Sequence, residues 1–372
     1  MKVWFYHNSP WPFRRPEIPF PFPGDKFDRD LGPEVYGGYV SLYRQADALG
    51  FDGLCFTEHH YTKIGCVPSP NLMAAAVASQ TSNARIVIIG NCLPMHGHPI
   101  RVAEELALID ALSNGRLTSG FIRGGAREYY AYGVDIHQGR EMFEEAWDLI
   151  VRAWTEDEPF SWHSEHYHYD VVSIVPRPVQ RPHPPIILAG NTSESIEWVA
   201  RHHVPLILGN LAAAFMGDAF SYFKKYAEEE CGWSPGPEHR IATLSVYVAE
   251  TDAKAREQAE GWVWDQYHEL ANLYSAPNLR AMNEARRTDR SYAYQPAIAA
   301  PRADEGEVTY DQLLRQRYCV GSPDTVIRRV LDMKERLDIG TLMPGMLFGG
   351  MRVADAAKSM ELFAKEVLPA VR

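Results

Sequence analysis

The sequence predicts an α/β protein, one (β/α)8 barrel over residues 1–372, with a hairpin insertion and a long lid. Three observations predict it. Eight short apolar runs recur along the chain, each the length of a strand buried on both faces. Helical patterns, with apolar residues three or four apart, separate them. The alternative, a doubly wound sheet, wants a G-x-G-x-x-G turn after the first run, and none stands there.

Met1 to His7 reads as the first strand. Ser9 to Pro23 follows, rich in Pro and Phe; each Pro removes a donor that a helix or inner strand needs, so this stretch is irregular. On a barrel it would hang over the ligand face with its aromatics near a pocket; a plain surface loop or a polyproline segment is the alternative. Residues 33–49 form a helix ended by Gly50, and Gly50 to Tyr61 carries the second strand. Pro70–Ser79 is an Ala-rich helix whose small side chains suit close packing, within the chain or across a dimer. Ile86–Gly90 is a strand, and Pro99–Leu112 a helix with Val102, Leu106 and Ile109 on one side.

Leu117–Phe121 is the next strand, followed by a helix carrying Phe143, Trp147, Ile150 and Trp154. Phe160–Val175 breaks the alternation, as a small hairpin would. Strands at Ile186–Gly190, Leu206–Gly209 and Ile241–Ala249 then alternate with helices from Ser193, up to Cys231, and from Thr251. Ser275 to Glu307 is poor in aliphatic side chains and is the expected lid. Ser322-Pro323 opens a helix, Thr341–Met346 is the last strand, and 352–369 the closing helix.

Composition narrows the function. The 37 Lys and Arg against 48 Asp and Glu give a net charge of −11, with no basic block, which argues against nucleic acid and anionic membrane surfaces. No apolar segment approaches a membrane span, and the N-terminus turns polar too soon for a signal peptide. Five scattered cysteines (Cys55, Cys66, Cys92, Cys231, Cys319) without C-x-x-C spacing read as free thiols of a cytoplasmic protein.

Ligands of such barrels bind where the strands end. Glu58-His59-His60 ends the second strand, and period two sends His59 opposite to its neighbours, towards a pocket. Three satisfied polar residues, or half of a metal site, are the plainer readings. After the fourth strand stands Arg123-Gly124-Gly125, with Arg140 opening the next helix; an arginine fork suits a phosphate. After the fifth, Gly190-Asn191-Thr192-Ser193 leads into a helix whose N-terminus also favours an anion. Here too a plainer reading exists: Asn191 or Ser193 caps the helix, and each Arg pairs with Glu128, Glu141 or Glu144.

Together these residues resemble the bacterial-luciferase-like family of flavin-dependent monooxygenases. The likeness is carried by Leu49-Gly50-Phe51-Asp52 leading to Glu58-His59-His60, by Leu93-Pro94 with His98-Pro99-Ile100-Arg101, and by Leu108 to Leu117. Arg123-Gly124, Gly133-Val134-Asp135, Arg140, Glu197-Trp198 and Val320-Gly321-Ser322-Pro323 continue it to the closing helix. The resemblance implies a barrel that dimerises through its second and third helices. It also implies reduced FMN from a separate NAD(P)H-dependent flavin reductase, reacting with O2. His59 matches the family's catalytic histidine; Arg123, Arg140 and the turn Gly190-Asn191-Thr192-Ser193 match its flavin-phosphate positions. Gly90-Asn91 matches a site where the family often has a non-prolyl cis peptide behind the flavin ring.

The chain departs from light-emitting members. Ile122 stands where they have a reactive cysteine, and Gly190-Asn191 where they have an acid and a serine, which speaks against light emission. The expected activity is oxidation of a small, mostly apolar organic substrate. The rivals are an oxidoreductase using the deazaflavin F420 and a flavin-binding protein without turnover.

Overall fold

The computed structural model describes residues 1–12, 20–209, 213–275 and 308–372. Its strands are β1 (Lys2–Tyr6), β2 (Gly53–Phe56), β3 (Arg85–Ile88), the short β4 (Asn91–Cys92) and β5 (Leu117–Ile122). They continue as β6 (Phe160–His163), β7 (His168–Val172), β8 (Ile186–Ala189), β9 (Leu206–Leu208), β10 (Arg240–Val248), β11 (Tyr318–Gly321) and β12 (Thr341–Gly345). Eight of them pair in parallel in the order β1-β2-β3-β5-β8-β9-β10-β12, and β12 returns to β1, which closes the barrel. β4 adds to β5 and β11 to β10 outside that ring, while β6 and β7 form the separate antiparallel hairpin expected over 160–175.

Strand alternation sorts the core into two layers. Inward, Trp4, Cys55, Val87, Ile187, Ile207 and Met343 fill the barrel, and Tyr6, Ile89 and Ala189 lie partly open beside them. Outward, Phe5, Phe56, Ile88 and Phe121 pack under the helices. Runs apolar on both faces are what such a double burial demands.

The helices include α1 (Gly32–Ala48), α2 (Pro70–Ala78), α3 (Pro99–Leu112), α4 (Ala126–Tyr132), α5 (Gly139–Thr155) and α6 (Ser193–Arg201). Beyond them stand α7 (Ala213–Glu230), α8 (Asp252–Ser275), α9 (Tyr310–Gln316), α10 (Pro323–Leu337) and α11 (Val353–Leu362). Among the described residues no helix is long and apolar enough to cross a membrane.

Sequence periodicity missed α4 and β11, for different reasons. α4 has seven residues and only three of them are buried, so it shows no apolar stripe. β11 follows a short helix so closely that its four buried residues merge with that helix's pattern. The expected lid began at Ser275, which instead ends α8; its residues 276–307, and residues 13–19 of the Pro/Phe-rich loop, lie outside the described residues. Of that loop's aromatics, Trp11 is buried and packs on Phe27 with ring centres 4.5 Å apart, so it serves the core and not a pocket.

Candidate active site

Past Phe56 the chain leaves β2 and presents Glu58, His59 and His60 in alternation. Glu58 and His60 are buried against each other, His60 Nε2 lying 3.0 Å from Glu58 Oε1. The other Glu58 oxygen accepts from the Cys92 N–H at 2.8 Å, and His96 Nε2 lies 3.6 Å from Oε1. Burial pushes the Glu58 carboxyl up, but the hydrogen bonds from His60 and Cys92 and the nearby His96 ring outweigh it and hold the group below its ordinary range. His60 Nδ1 meets the Tyr132 hydroxyl at 3.2 Å, so both of its nitrogens are engaged. These two residues are wall. Among the described residues no group of three or more His, Cys, Asp and Glu is arranged to hold a metal.

His59 faces the other way and is 23 % exposed at its side chain. Its Nδ1 lies 2.9 Å from an Arg127 nitrogen, while Nε2 has no partner among the described residues. Burial first, then the Arg127 charge, lower the His59 pKa, against a smaller opposing pull from Glu128. Gly65 lies flat against the ring; a Cβ there would come within 2.3 Å of His59 Cδ2, so only glycine lets that loop cover the imidazole. Arg127 and Glu128 belong to α4, which the sequence reading did not contain. Glu128 accepts from the Gly125 N–H at 3.1 Å and from Arg127 Nε at 2.7 Å. Burial would raise its carboxyl, yet Arg127 beside it keeps it well below the usual carboxylate range.

A second cluster lies at the ends of β5 and β8. Arg123 Nη1 donates to Glu194 Oε2 at 2.7 Å, Arg140 Nη1 binds the other Glu194 oxygen, and Arg140 Nε reaches Glu144 at 3.0 Å. The predicted pairing of Arg140 with Glu144 is present; the main partner of both arginines, Glu194, was not foreseen. A cleft opens there, lined by Arg123, Arg140, Glu144, Leu188, Glu194 and Trp198. Glu194 sits in the first turn of α6, where the free N–H groups and the helix dipole favour an anion. Its carboxylate stands where an anionic ligand group would, so the donor set fits a phosphate.

The turn before α6 behaves differently from expectation in detail. Neither Asn191 nor Ser193 caps the helix; Thr192 does, accepting from the Ser195 N–H at 3.2 Å while its hydroxyl donates to Ser195 Oγ at 2.9 Å. Gly190 packs on the Ser195 side chain. Asn191 and Ser193 are half-buried.

One further expectation changes. The cis peptide bonds among the described residues all precede proline, so Gly90–Asn91 is trans; the backbone turns there instead through a Gly90 φ of +123°. Asn91 is fully buried opposite Phe121, and neither atom of its carboxamide is hydrogen-bonded. His7, which follows β1, is core. It stacks on Tyr43 with centres 4.7 Å apart, accepts from the Ser9 N–H at 3.0 Å, and burial holds its pKa down to about 3.

The two clusters are joined through Arg123, whose carbonyl accepts from the Tyr129 hydroxyl of α4 at 2.7 Å and from Cys92 Sγ at 3.4 Å. An imidazole and an arginine-lined cleft thus lie at the strand ends, the face on which parallel barrels bind their ligands. Residues 22–338 match the luciferase-like monooxygenase family, and the chain belongs to it.

Its relatives agree. The alkanal monooxygenase alpha chain of Photorhabdus luminescens is 24 % identical over 342 residues, 90 % of this chain and 91 % of that one. The oxygenase component of the flavin-dependent trigonelline monooxygenase of Acinetobacter baylyi is 25 % identical over 318 residues, 82 % of this chain and 81 % of that one. A Sinorhizobium fredii protein is 34 % identical over 166 residues, and there the chain spans about half of the relative (44 % of this chain, 48 % of that one). The crystal structure of monooxygenase RslO1 from Streptomyces bottropensis superposes with a TM-score of 0.76 at 25 % identity, each chain covered over 100 % of its length.

Proposed function

We propose that this protein is the oxygenase of a two-component flavin-dependent monooxygenase. In this reading it takes reduced FMN from a separate NAD(P)H-dependent flavin reductase and uses O2 to oxidise a small, mostly apolar organic substrate. One observation carries the cofactor assignment: Arg123 and Arg140 converge on one carboxylate at the N-terminus of α6, beside an open cleft. A flavin phosphate would take the place of that carboxylate, held by both guanidiniums and the α6 N–H groups. Reduced FMN, when bound, supplies the electrons that activate O2. His59, the imidazole that faces the mouth, is the residue placed to hold or pass a proton there. The partly open apolar layer of Tyr6, Ile89 and Ala189 suits a flat ring and a substrate with little charge.

The relatives' oxygenase and alkanal activities support this reading, as does family membership. We further propose that the protein works in the cytoplasm as a homodimer. Leu72 of α2 is 72 % exposed, and Leu108 and Leu112 of α3 are half exposed, so α2 and α3 would meet a second copy. Sedimentation equilibrium with a Leu72→Glu variant tests that contact; a wild-type monomer at micromolar concentration overturns it.

The deciding experiment is O2 consumption with photoreduced FMN and a panel of apolar aldehydes, ketones and aromatics. Substrate-dependent product formed in step with O2 uptake is the expected result. Turnover of reduced F420 without O2 uptake would move the protein to hydride transfer, and flavin binding without any turnover would make it a binding protein.

A further inference from the structure

We propose that Arg127 is the positioning residue of the mouth: it fixes His59 as the Nε2–H tautomer, so the imidazole presents a hydrogen-bond donor to the reactants. This rests on the reading above only in that His59 is taken to face the reacting groups.

The first step is a matter of valence. A guanidinium has five N–H donors and no acceptor, and stays charged at any working pH. Arg127 Nη2 lies 2.9 Å from His59 Nδ1, so Nδ1 must offer its lone pair. In a neutral imidazole the proton then sits on Nε2. Protonating Nδ1 would set a cation against the arginine and break the bond, so the imidazolium is disfavoured by the same contact.

Arg127 is itself held. Glu128 accepts its Nε–H at 2.7 Å and is anchored in turn by the Gly125 N–H at 3.1 Å. The charged groups facing His59 are thus Arg127 and Glu128 from α4, with His60 next to it on its own strand end. Glu128 comes no nearer than 3.9 Å to Nδ1, so the arginine is the direct contact. Gly65 lies against the ring near Cδ2 and prevents the imidazole from swinging away. The free Nε2 is the one atom of the ring left to a ligand. As a donor it suits an acceptor oxygen, such as a carbonyl oxygen of the substrate, and it leaves proton abstraction at neutral pH to another group.

The test is 15N NMR of histidine-labelled protein without flavin, with His59 signals assigned by their loss in His59→Gln. The expected wild-type spectrum shows a neutral ring protonated at Nε2, with a titration midpoint below the ordinary value of about 6.5. Arg127→Met should raise that midpoint by about one pH unit or more and mix the tautomers. Arg127→Lys, which keeps a charged donor, should restore the Nε2–H form. A wild-type ring protonated at Nδ1, or charged at pH 7, overturns the proposal without any variant. So does a folded Arg127→Met protein whose tautomer and midpoint match wild type. Because flavin is absent from the sample, failure to bind FMN would count against the cofactor reading and leave this result standing.

Discussion

At the end of β2 an imidazole is tied at one nitrogen to a guanidinium and open at the other, whereas at the ends of β5 and β8 two guanidiniums are tied to one carboxylate. In the first cluster Arg127, itself held by Glu128, already holds His59, so on the proposed reading a reactant would meet a prearranged donor. In the second, the chain's own Glu194 occupies the ground that an anion would need, so binding there is an exchange of partners. Preorganised groups favour chemistry, and exchangeable ones favour reversible capture. On the proposed reading, the mouth would separate a fixed reacting group from a replaceable grip.

Substitutions should break the two halves apart. His59→Ala should lower product formation by about 10²–10⁴-fold, the usual effect of removing a positioned acid or base. Its affinity for FMN should stay unchanged, since the two arginines lie at the ends of other strands. Single-turnover yield and melting temperature measured on the same preparation decide this. A normal yield in a stably folded variant would make His59 scaffold.

Arg123→Ala should do the reverse, weakening FMN by roughly ten- to hundredfold, the worth of about 1.5–3 kcal/mol for a charged hydrogen bond. Arg140→Ala should act alike, and riboflavin, which lacks the phosphate, should bind both variants as it binds wild type. Equal dissociation constants for FMN in variant and wild type would remove the phosphate assignment.

Acidification probes the buried groups around the first cluster and beside β1. His59 and His7 are held neutral by burial, so the unfolded chain binds more protons than the folded one as pH falls below about 6.5. Stability should fall by up to about 1.4 kcal/mol per pH unit for each such group, nearly tenfold in the folding equilibrium. The depressed carboxyls of Glu58 and Glu128 act lower: the stability they lend above about pH 4.3 is lost as they protonate in further acid. Urea titrations of wild type and His7→Phe at pH 7 and 5.5 check the first part, and an unchanged slope with pH in His7→Phe would exempt His7.

The smallest effect belongs to Glu194, a buried first-turn acid. Glu194→Gln frees two guanidiniums from a competing carboxylate, and FMN should bind about two- to fivefold more tightly, because desolvation offsets most of the ion-pair attraction and leaves less than about 1 kcal/mol. Isothermal titration with FMN and with inorganic phosphate reads it. Weaker binding of both would show that the carboxylate supports the arginines instead of competing with the ligand.

Most of the barrel was legible because its strands are apolar on both faces and its helices are not, and that contrast survives in one dimension. The direction of His59 was legible too, since alternation along an extended chain is a local property. What could not be read was the identity of partners brought from elsewhere. Glu194 looks like an ordinary first-turn acid until α6 is set against β5. Arg127 and Glu128 sit on a helix too short to carry a periodic signal, although their place four and five residues after Arg123 was a hint. Thr192 took the capping role over Asn191 and Ser193 because its extended backbone puts the hydroxyl over the first turn, which composition alone does not specify.

The closure of the ring has a further consequence, for the making of the chain. Lys2 lies opposite Thr341 and Tyr6 opposite Gly345, so the first strand completes its ladder with the last of the described strands. Pairings so remote in sequence form slowly. At a synthesis rate of about 5–20 residues per second, β1 emerges with β2 beside it but waits on the order of half a minute for β12. Through that interval one edge of an apolar strand is open, the kind of edge that pairs with whatever strand it meets. A nascent chain of this protein is thus longest at risk of aggregation at β1, and that strand is where a ribosome-associated chaperone would have to hold it.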